Sequence, residues 1–225
     1  MLVLFDVDKT LFMNSDPLMG QATTDAIEAV WGLRLPGDAI TRVNHPGQTA
    51  TRITREILRG EGMSDDEIDA GLGRWCEEAC ARYLERLSGV DTSDWYAPEG
   101  TAEALSQIEH RALLTGNPEP VARARMEKLG LAEFFPPGQG AFGCDAEERP
   151  ELIEIARRRA GGWPREQTVA VGDTLADIDG ARAAGVKVVA FAPEPGQRDE
   201  LVDADAVIER MGELPRVLQR LSGDS

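Results

Sequence analysis

Short apolar runs separated by longer amphipathic stretches recur along this sequence of 225 residues. The runs cover residues 2–5, 112–114, 168–171, 188–192 and 206–208. Continuous apolar runs of this length are typical of strands that are buried on both faces of a parallel sheet. Because helical patterns lie between most of them, the sequence predicts an α/β fold in which a parallel sheet is flanked by helices.

Residues 14–96 interrupt this alternation, because they show helical spacing and no strand pattern. We therefore expect an inserted α-helical cap domain over 14–96. The core domain would then consist of residues 1–13 and 97–225, which carry all of the apolar runs.

Capping patterns predict the helices of this insert. Asp25, with a glutamate three residues later, indicates the start of a first helix that ends by Gly32. A second helix should end at Gly60, and Ser64 with Glu67 is the capping-box signature of a third.

Carboxylates follow two of the predicted strands. Asp6 and Asp8 come directly after the first apolar run, and Asp173 and Asp177 follow the run at 168–171. In an extended chain, residues two apart share a face, so Asp6 and Asp8 point the same way. At about 4 Å two such charges repel by roughly 4 kcal/mol at an effective dielectric constant near 20, which favours a bound cation or a raised pKa. Hard carboxylate oxygens suit Mg²⁺.

The segment after the second run offers groups of another kind. Thr115, Gly116 and Asn117 supply a hydroxyl, an open backbone amide and a side-chain amide, which are ligands for phosphate. Pro118 suits the first turn of a helix, and Asn117 is expected to cap it. The amide end of this helix favours an anion beside Thr115 and Gly116. Residues 142–144 are expected to form a further short strand.

Composition excludes several classes of function. The formal charge of -16 disfavours nonspecific binding to nucleic acid or to an anionic membrane, and no segment has the length and hydropathy of a membrane span. We expect a cytoplasmic protein without an export signal.

The three cysteines of the sequence, an odd number, argue against a disulfide framework. Cys76 and Cys80 share a helical face and could form half a metal site, but small, partly buried thiols are the simpler interpretation.

Together, the stretches DVDKT, TGN and GDTLADID resemble the haloacid dehalogenase superfamily of phosphohydrolases, in this order along the chain. The resemblance implies a Rossmann-like core and a nucleophile, Asp6, that is phosphorylated and then hydrolysed. It implies that Asp8 is the general acid and base. It also implies a Mg²⁺ site formed by Asp6, the Asp8 backbone carbonyl and Asp173, with Asp177 in support, and phosphate ligands at Thr115, Gly116 and Asn117.

One position departs from the family pattern. The family expects a lysine before the acidic loop, and Arg149 occupies the matching place before Pro150. Arginine keeps the positive charge and can bind phosphate in a bidentate manner, although its planar fork is no simple equivalent of an ammonium. The alternative is a surface ion pair between Arg149 and Glu147 or Glu148.

The position of the insert resembles the phosphoglycolate phosphatase and phosphomutase-like branch. That resemblance implies substrate contacts from the predicted cap at Gly47, Gln48, Thr49 and Arg52.

The leading hypothesis is a Mg²⁺-dependent phosphatase that acts on a small phosphorylated metabolite. The alternatives are a β-phosphoglucomutase-like mutase, a haloacid dehalogenase, which lacks the counterpart of Asp8, and a receiver-like signalling module, which lacks a cap. The sequence leaves open the substrate, the oligomeric state and whether the cap is open or closed.

Overall fold

The computed structural model describes residues 1–223 and contains one five-stranded parallel sheet within them. The strands are β1 (Leu2–Phe5), β2 (His110–Leu113), β3 (Thr168–Gly172), β4 (Lys187–Phe191) and β5 (Ala206–Ile208). Their spatial order is β2-β1-β3-β4-β5, so β1 lies between β2 and β3. The predicted α/β fold class is confirmed.

Nine helices surround or extend from this sheet in the described part of the chain. They are α1 (Leu18–Trp31), α2 (Ala50–Gly60), α3 (Asp65–Leu87), α4 (Thr101–Ser106), α5 (Glu119–Lys128), α6 (Arg149–Arg159), α7 (Leu175–Ala184), α8 (Gln197–Glu200) and α9 (Leu214–Gly223). None of the described helices is both long and apolar enough to cross a membrane.

The sheet is buried on both faces, as its continuous apolar runs predict. Val3 and Phe5 of β1 pack into one hydrophobic cluster, while Leu2 and Leu4 pack into the cluster on the opposite face. All four side chains are at most 1% exposed. Because successive residues of a strand point to opposite faces, a central strand between two layers of helices must be apolar at every position.

Helices α1, α2 and α3 lie in the helical insert, the name used here for residues 14–96. They share a hydrophobic cluster of their own, in which Trp75 and Ile68 of α3 are fully buried. The capping box of Ser64 and Glu67 forms as predicted at the start of α3. Nothing in the fold tests the domain boundaries at 13/14 and 96/97, which stay a prediction.

The predicted start of the first helix at Asp25 is wrong, because α1 begins at Leu18. Two contacts explain the difference. The carboxylate of Asp16 accepts a hydrogen bond from the backbone N–H of Leu18, at 3.0 Å, and so orders the chain just before the helix. Asp25 instead pairs with Arg86 of α3, within the insert. The predicted end of this helix at Gly32 is confirmed.

The short strand expected at 142–144 is also absent from the described residues. Ala141 forms an isolated parallel bridge with Leu114, and the chain then turns. The turn arises because the N–H of Phe142 donates to the Asp145 carboxylate at 2.9 Å, instead of continuing a ladder.

Backbone contacts bring the helical insert directly onto the sheet. The N–H of Ala50 donates to the carbonyl of Gly116 at 2.8 Å, and the hydroxyl of Thr51 donates to the carbonyl of Gly143 at 2.7 Å. A Cβ at Gly116 would lie 2.0 Å from the carbonyl oxygen of Gln48, so only glycine permits this approach. The insert is therefore closed over the sheet edge in this structure.

A disulfide joins the same two regions. Cys76 of α3 is bonded to Cys144, in the turn that follows the Ala141 bridge. The expectation of no disulfide is wrong, because an odd number of cysteines excludes only complete pairing, and folding brings two positions 68 residues apart together. Cys80 stays a half-buried thiol, and burial raises its pKa to about 11.

Candidate active site at the carboxyl edge of the sheet

Three neighbouring parallel strands deliver the predicted polar residues to one edge. Asp6 directly follows β1, Thr115 follows β2 after one residue, and Asp173 directly follows β3. Because β1 lies between β2 and β3 in register, the three loops are neighbours. This crevice beyond the carboxyl ends of the strands is where open α/β sheets place their ligands.

Asp6, Asp173 and Asp177 form a compact group of carboxylates. One oxygen from each lies within 4.8 Å of the others. Asp177 is fixed by a capping box at the start of α7, because its Oδ2 accepts hydrogen bonds from the Thr174 N–H at 2.9 Å and from the Thr174 hydroxyl at 2.6 Å. Oxygen ligands at this spacing could hold a hard divalent cation.

The electrostatics of the group fit such a cation. Burial, followed by the charge of Asp177, raises the pKa of Asp6 well above its ordinary value. The same two causes raise the pKa of Asp173 to about 7. Crowded carboxylates in a low-dielectric site repel one another, and a bound cation would relieve that repulsion.

Arg149 lies inside this group and is 7% exposed. Its Nη2 is 3.0 Å from Oδ1 of Asp6, and it also pairs with Asp177. Burial alone would lower the pKa of Arg149, but Asp177 and Asp6 more than offset that effect, so the pKa is raised.

The alternative surface ion pair of Arg149 is not formed. Glu147 binds Arg55 at 2.6 Å, and Glu148 binds Arg52 at 2.5 Å. The buried Nε of Arg149 has no hydrogen-bond acceptor among residues 1–223. A buried hydrogen-bond donor without a partner is energetically costly.

The side chain of Asp8 lines the same cavity but is not part of the compact acidic group. One of its carboxylate oxygens accepts a hydrogen bond from the side-chain amide of Asn117, and the other from Nη1 of Arg125 at 2.7 Å. Only its backbone carbonyl is therefore left for a metal at the Asp6 group. Lys9, the next residue, has a φ of 58°, and this sharp turn sends the chain back across the sheet edge.

The prediction that Asn117 caps α5 is wrong. Pro118 occupies the cap position, and the side chain of Asn117 is engaged by Asp8. Its amide also donates to the hydroxyl of Thr115 at 3.1 Å. The segment predicted to bind phosphate thus lies at the site, where its side chains connect to Asp8.

Sequence reasoning missed Arg125 of α5, which is 3% exposed. Besides Asp8, it binds the buried carboxylate of Asp16 at 2.9 Å, and its Nε lies 3.4 Å from the hydroxyl of Tyr83. The sequence did contain a signal. Arg125 lies on the buried face of α5, with Val121 and Met126 at neighbouring positions, where an unpaired charge would be costly.

The four residues predicted to contact substrate from the insert divide into two groups. Gly47 and Gln48 line the cavity above the site. Thr49 caps α2 and donates its hydroxyl to the carbonyl of Glu147 at 2.9 Å. Arg52 does not line the cavity, because it is held by Glu56 and Glu148. The structure thus gives no support to substrate contact by Arg52.

The open cavity between the insert and the sheet edge has a volume of about 570 Å³. Its floor is polar and is formed by Asp6, Thr115, Gly116, Arg149 and Asp173. Volumes of this order are usual for sites that hold small molecules.

A family model described as a haloacid dehalogenase-like hydrolase matches residues 1–185. Among relatives, a phosphoglycolate phosphatase of Pseudomonas aeruginosa is 28% identical over 84% of this chain and 68% of its own length. One from Rhodospirillum rubrum is 27% identical over 84% of this chain and 78% of its own.

Solved structures show the same fold. CbbY from Rhodobacter sphaeroides, in complex with phosphate, has a TM-score of 0.65 at 19% identity and covers 95% of both chains. A β-phosphoglucomutase from Clostridium difficile has a TM-score of 0.66 at 17% identity, covering 98% of this chain and 96% of its own. The chain therefore belongs to the haloacid dehalogenase-like hydrolases, as its strand-end motifs and its resemblance to the phosphoglycolate phosphatase and phosphomutase-like branch predict.

Proposed function

We propose that this enzyme is a Mg²⁺-dependent phosphatase that hydrolyses a small organic phosphate monoester through an aspartyl phosphate on Asp6. The observation that carries the proposal is the geometry around Asp6. Its carboxylate is grouped with Asp173 and Asp177 within 4.8 Å, and Arg149 lies 3.0 Å from its Oδ1. A nucleophile, a site for a cation and a guanidinium are thus together at one point.

The reaction has two balanced steps. In the first, an oxygen of Asp6 bonds to phosphorus while the bond from phosphorus to the ester oxygen breaks, and Asp8 gives a proton to the departing alkoxide. In the second, a water molecule attacks the same phosphorus and gives a proton to Asp8. The bond between phosphorus and Asp6 breaks, and inorganic phosphate leaves. When bound at Asp6, the Asp8 carbonyl and Asp173, with Asp177 in support, Mg²⁺ would neutralise charge on the phosphate oxygens.

The remaining residues position the reacting groups. Arg149, Thr115 and the Gly116 amide would bind phosphate oxygens, and the start of α5 adds the favourable end of a helix dipole. Asn117 and Arg125 together hold the two oxygens of Asp8, which restricts the direction in which it can exchange a proton.

In this proposal the helical insert acts as a cap. Gly47 and Gln48 close one side of the cavity, and the contact of Ala50 with Gly116 brings the insert against the phosphate loop. Closure excludes water and strengthens the electrostatic interactions inside. A small phosphorylated metabolite is the expected partner, because a chain with a net charge of -16 does not attract nucleic acid or anionic membranes.

The test is steady release of inorganic phosphate from an aryl phosphate such as p-nitrophenyl phosphate. We expect turnover with Mg²⁺ and none in excess chelator. Asp6→Asn should reduce the rate by at least about 10⁴, because an amide cannot serve as the nucleophile. Asp179→Asn is the matched control, since Asp179 is exposed on α7. Turnover in chelator, or an active Asp6→Asn enzyme, would refute the mechanism.

A further inference from the structure

We propose that the preferred substrates are monoesters of an uncharged, largely apolar alcohol, such as a benzyl or branched alkyl alcohol, and not phosphorylated acids or bisphosphates. This inference rests on the phosphatase function proposed above and specifies its leaving group. The observation behind it is the unequal lining of the cavity.

The two walls of the cavity differ in chemistry. Polar groups are concentrated on the floor, at the carboxyl edge of the sheet. The opposite wall, formed by the helical insert, is largely apolar and includes Pro17, Met19, Ile40, Ala50, Ile53 and Ile57. A phosphoryl group at Asp6 would therefore direct its alcohol toward aliphatic side chains. At about 570 Å³, the cavity leaves room for an alcohol much larger than glycolate.

Positive charge is confined to the floor side. Among the described residues that line the cavity, only Arg149 and Lys9 are lysine or arginine. Arg149 is bonded to Asp6, where the phosphoryl group would bind. The ammonium of Lys9 donates to the carbonyl of Met13 at 2.7 Å, within its own loop.

The arginines of α2 do not supply the missing charge. Arg52 is paired with Glu56 and Glu148, and Arg55 is paired with Glu147. Both sets of pairs lie outside the cavity lining. His45 does line it, but its Nε2 contacts the carbonyl oxygen of Ile40 at 2.7 Å.

A second anionic group on the substrate would therefore meet apolar side chains without a counter-charge. Burying an unpaired carboxylate or phosphate in such surroundings is strongly unfavourable. This argument applies to phosphoglycolate, which carries a carboxylate. It applies equally to a mutase that moves a phosphoryl group between two hydroxyls through a bisphosphate.

The first test compares benzyl phosphate, 4-carboxybenzyl phosphate and 2-phosphoglycolate, each with Mg²⁺. The first two form a matched pair that differs by one charge at the far end of the alcohol. We expect kcat/KM to be roughly a hundredfold higher for benzyl phosphate than for either acid. Equal or better hydrolysis of the acids would overturn the inference and leave the phosphatase intact. Failure to hydrolyse any monoester would refute the phosphatase function, and the inference with it.

The second test introduces a cation into the apolar wall. Ile53→Lys and Met19→Lys alter half-buried positions on different helices, so one variant still tests the proposal when the other does not fold. Each should raise kcat/KM for 4-carboxybenzyl phosphate relative to benzyl phosphate by about tenfold or more. Leu84→Lys is the control, because Leu84 is 42% exposed and outside the cavity lining. An unchanged ratio in both folded variants, with hydrolysis of benzyl phosphate retained, would contradict the proposal.

Discussion

Two buried arginines bind the two aspartates that follow β1, and they differ in their other contacts. Arg149 binds Asp6 and Asp177, which both belong to the sheet edge. Arg125 binds Asp8, and it also binds Asp16 of the helical insert. The first arginine concentrates positive charge beside Asp6, the proposed nucleophile. The second connects a residue that exchanges protons in the proposed mechanism to the insert that closes the site.

The energetics of the two sites differ as well. The guanidinium of Arg149 contacts Asp6 and Asp177, two members of a group of three carboxylates, so negative charge remains for a cation to balance. Arg125 instead meets the carboxylates of Asp8 and Asp16, and its guanidinium lies 4.9 Å from the centre of the Phe12 ring. Aromatic contacts and hydrogen bonds hold this second guanidinium in place. Its loss should therefore affect folding more than binding of a metal.

Of the changes that compare the two arginine sites, removal of Arg149 should have the largest effect on the rate. Arg149→Ala should lower kcat/KM by about a hundredfold or more, since an ionised hydrogen bond to phosphate contributes about 1.5–3 kcal/mol and Asp6 loses its neighbouring cation. Arg149→Lys keeps the charge and should lose less than about tenfold. Steady-state kinetics at saturating Mg²⁺ measure both. Equal losses in the two variants would show that positive charge at this position is not what matters.

Replacing Arg125 should reduce activity less but stability more. Arg125→Met leaves the buried carboxylate of Asp16 without its cationic partner, and breaking a buried ion pair costs about 3–5 kcal/mol of unfolding free energy. The rate should fall by about tenfold, because Asp8 loses one of its two side-chain contacts.

The double variant Arg125→Met with Asp16→Asn separates these effects. It should recover most of the stability, since no buried charge is left without a partner and the Asp8 side chain is half exposed, while the rate loss persists. Chemical denaturation and kinetics on the same preparations provide the measurement. Recovery of both stability and rate would make Arg125 a structural residue only.

The disulfide offers a milder way to loosen the insert from the sheet. Cys76→Ser should lower the unfolding free energy of the oxidised protein by about 4 kcal/mol, on the loop-entropy model for a closed loop of 68 residues. In the proposed mechanism substrate entry and product release need opening of the insert, so kcat should rise severalfold. Cys80→Ser is the control, because Cys80 is a free thiol on the same helix. If the two serine variants had the same unfolding free energy and the same kcat under non-reducing conditions, the disulfide would not restrain the insert.

The smallest effect concerns pH and the metal-free protein. The pKa of Asp173 rises from an ordinary value of 3.8 to about 7, and that of Asp6 is also raised. The folded state therefore binds protons more tightly than the unfolded state. The stability that these groups contribute is complete below the ordinary pKa and is lost as the pH rises through about 7.

In chelator, the melting temperature of the wild type should therefore fall relative to Asp173→Asn between pH 5 and pH 8, and Mg²⁺ should stabilise the wild type most at the upper end. Calorimetry across that range measures the difference. If the melting temperatures of the two proteins changed in parallel with pH, the pKa of Asp173 would not be raised in the folded state.

The sequence predicted Arg149 and missed Arg125 for a physical reason. Arg149 begins the helix before β3, and its position at the site follows from its place relative to motifs that lie at strand ends. The partners of Arg125 come from three separate segments, around Asp8, Asp16 and Tyr83. Local sequence patterns predict strands and helix caps, but they do not predict which helices pack against each other. The same limitation explains why the bond between Cys76 and Cys144 was not foreseen.

Local competition explains the other differences. Asp25 has the pattern of a helix start, yet Asp16 lies nearer to the true start and Asp25 finds Arg86 instead. Arg52 was expected to contact substrate because it lies one turn after Gly47 and Thr49. In the structure Glu56 and Glu148 bind it instead. Both are charged side chains whose partners depend on tertiary structure, and propensity alone does not rank such partners.

The central claim is that Asp6 carries the phosphoryl group while Asp8 exchanges protons. The most direct measurement mixes Asp8→Asn with an activated aryl phosphate and Mg²⁺, quenches rapidly, and determines the intact mass. An activated ester needs little protonation to leave, whereas the attack of water still needs a base. We expect a burst of one leaving group per enzyme and a single added phosphoryl group, absent when Asp6→Asn is also present. Wild-type turnover without a phosphorylated enzyme would contradict the account.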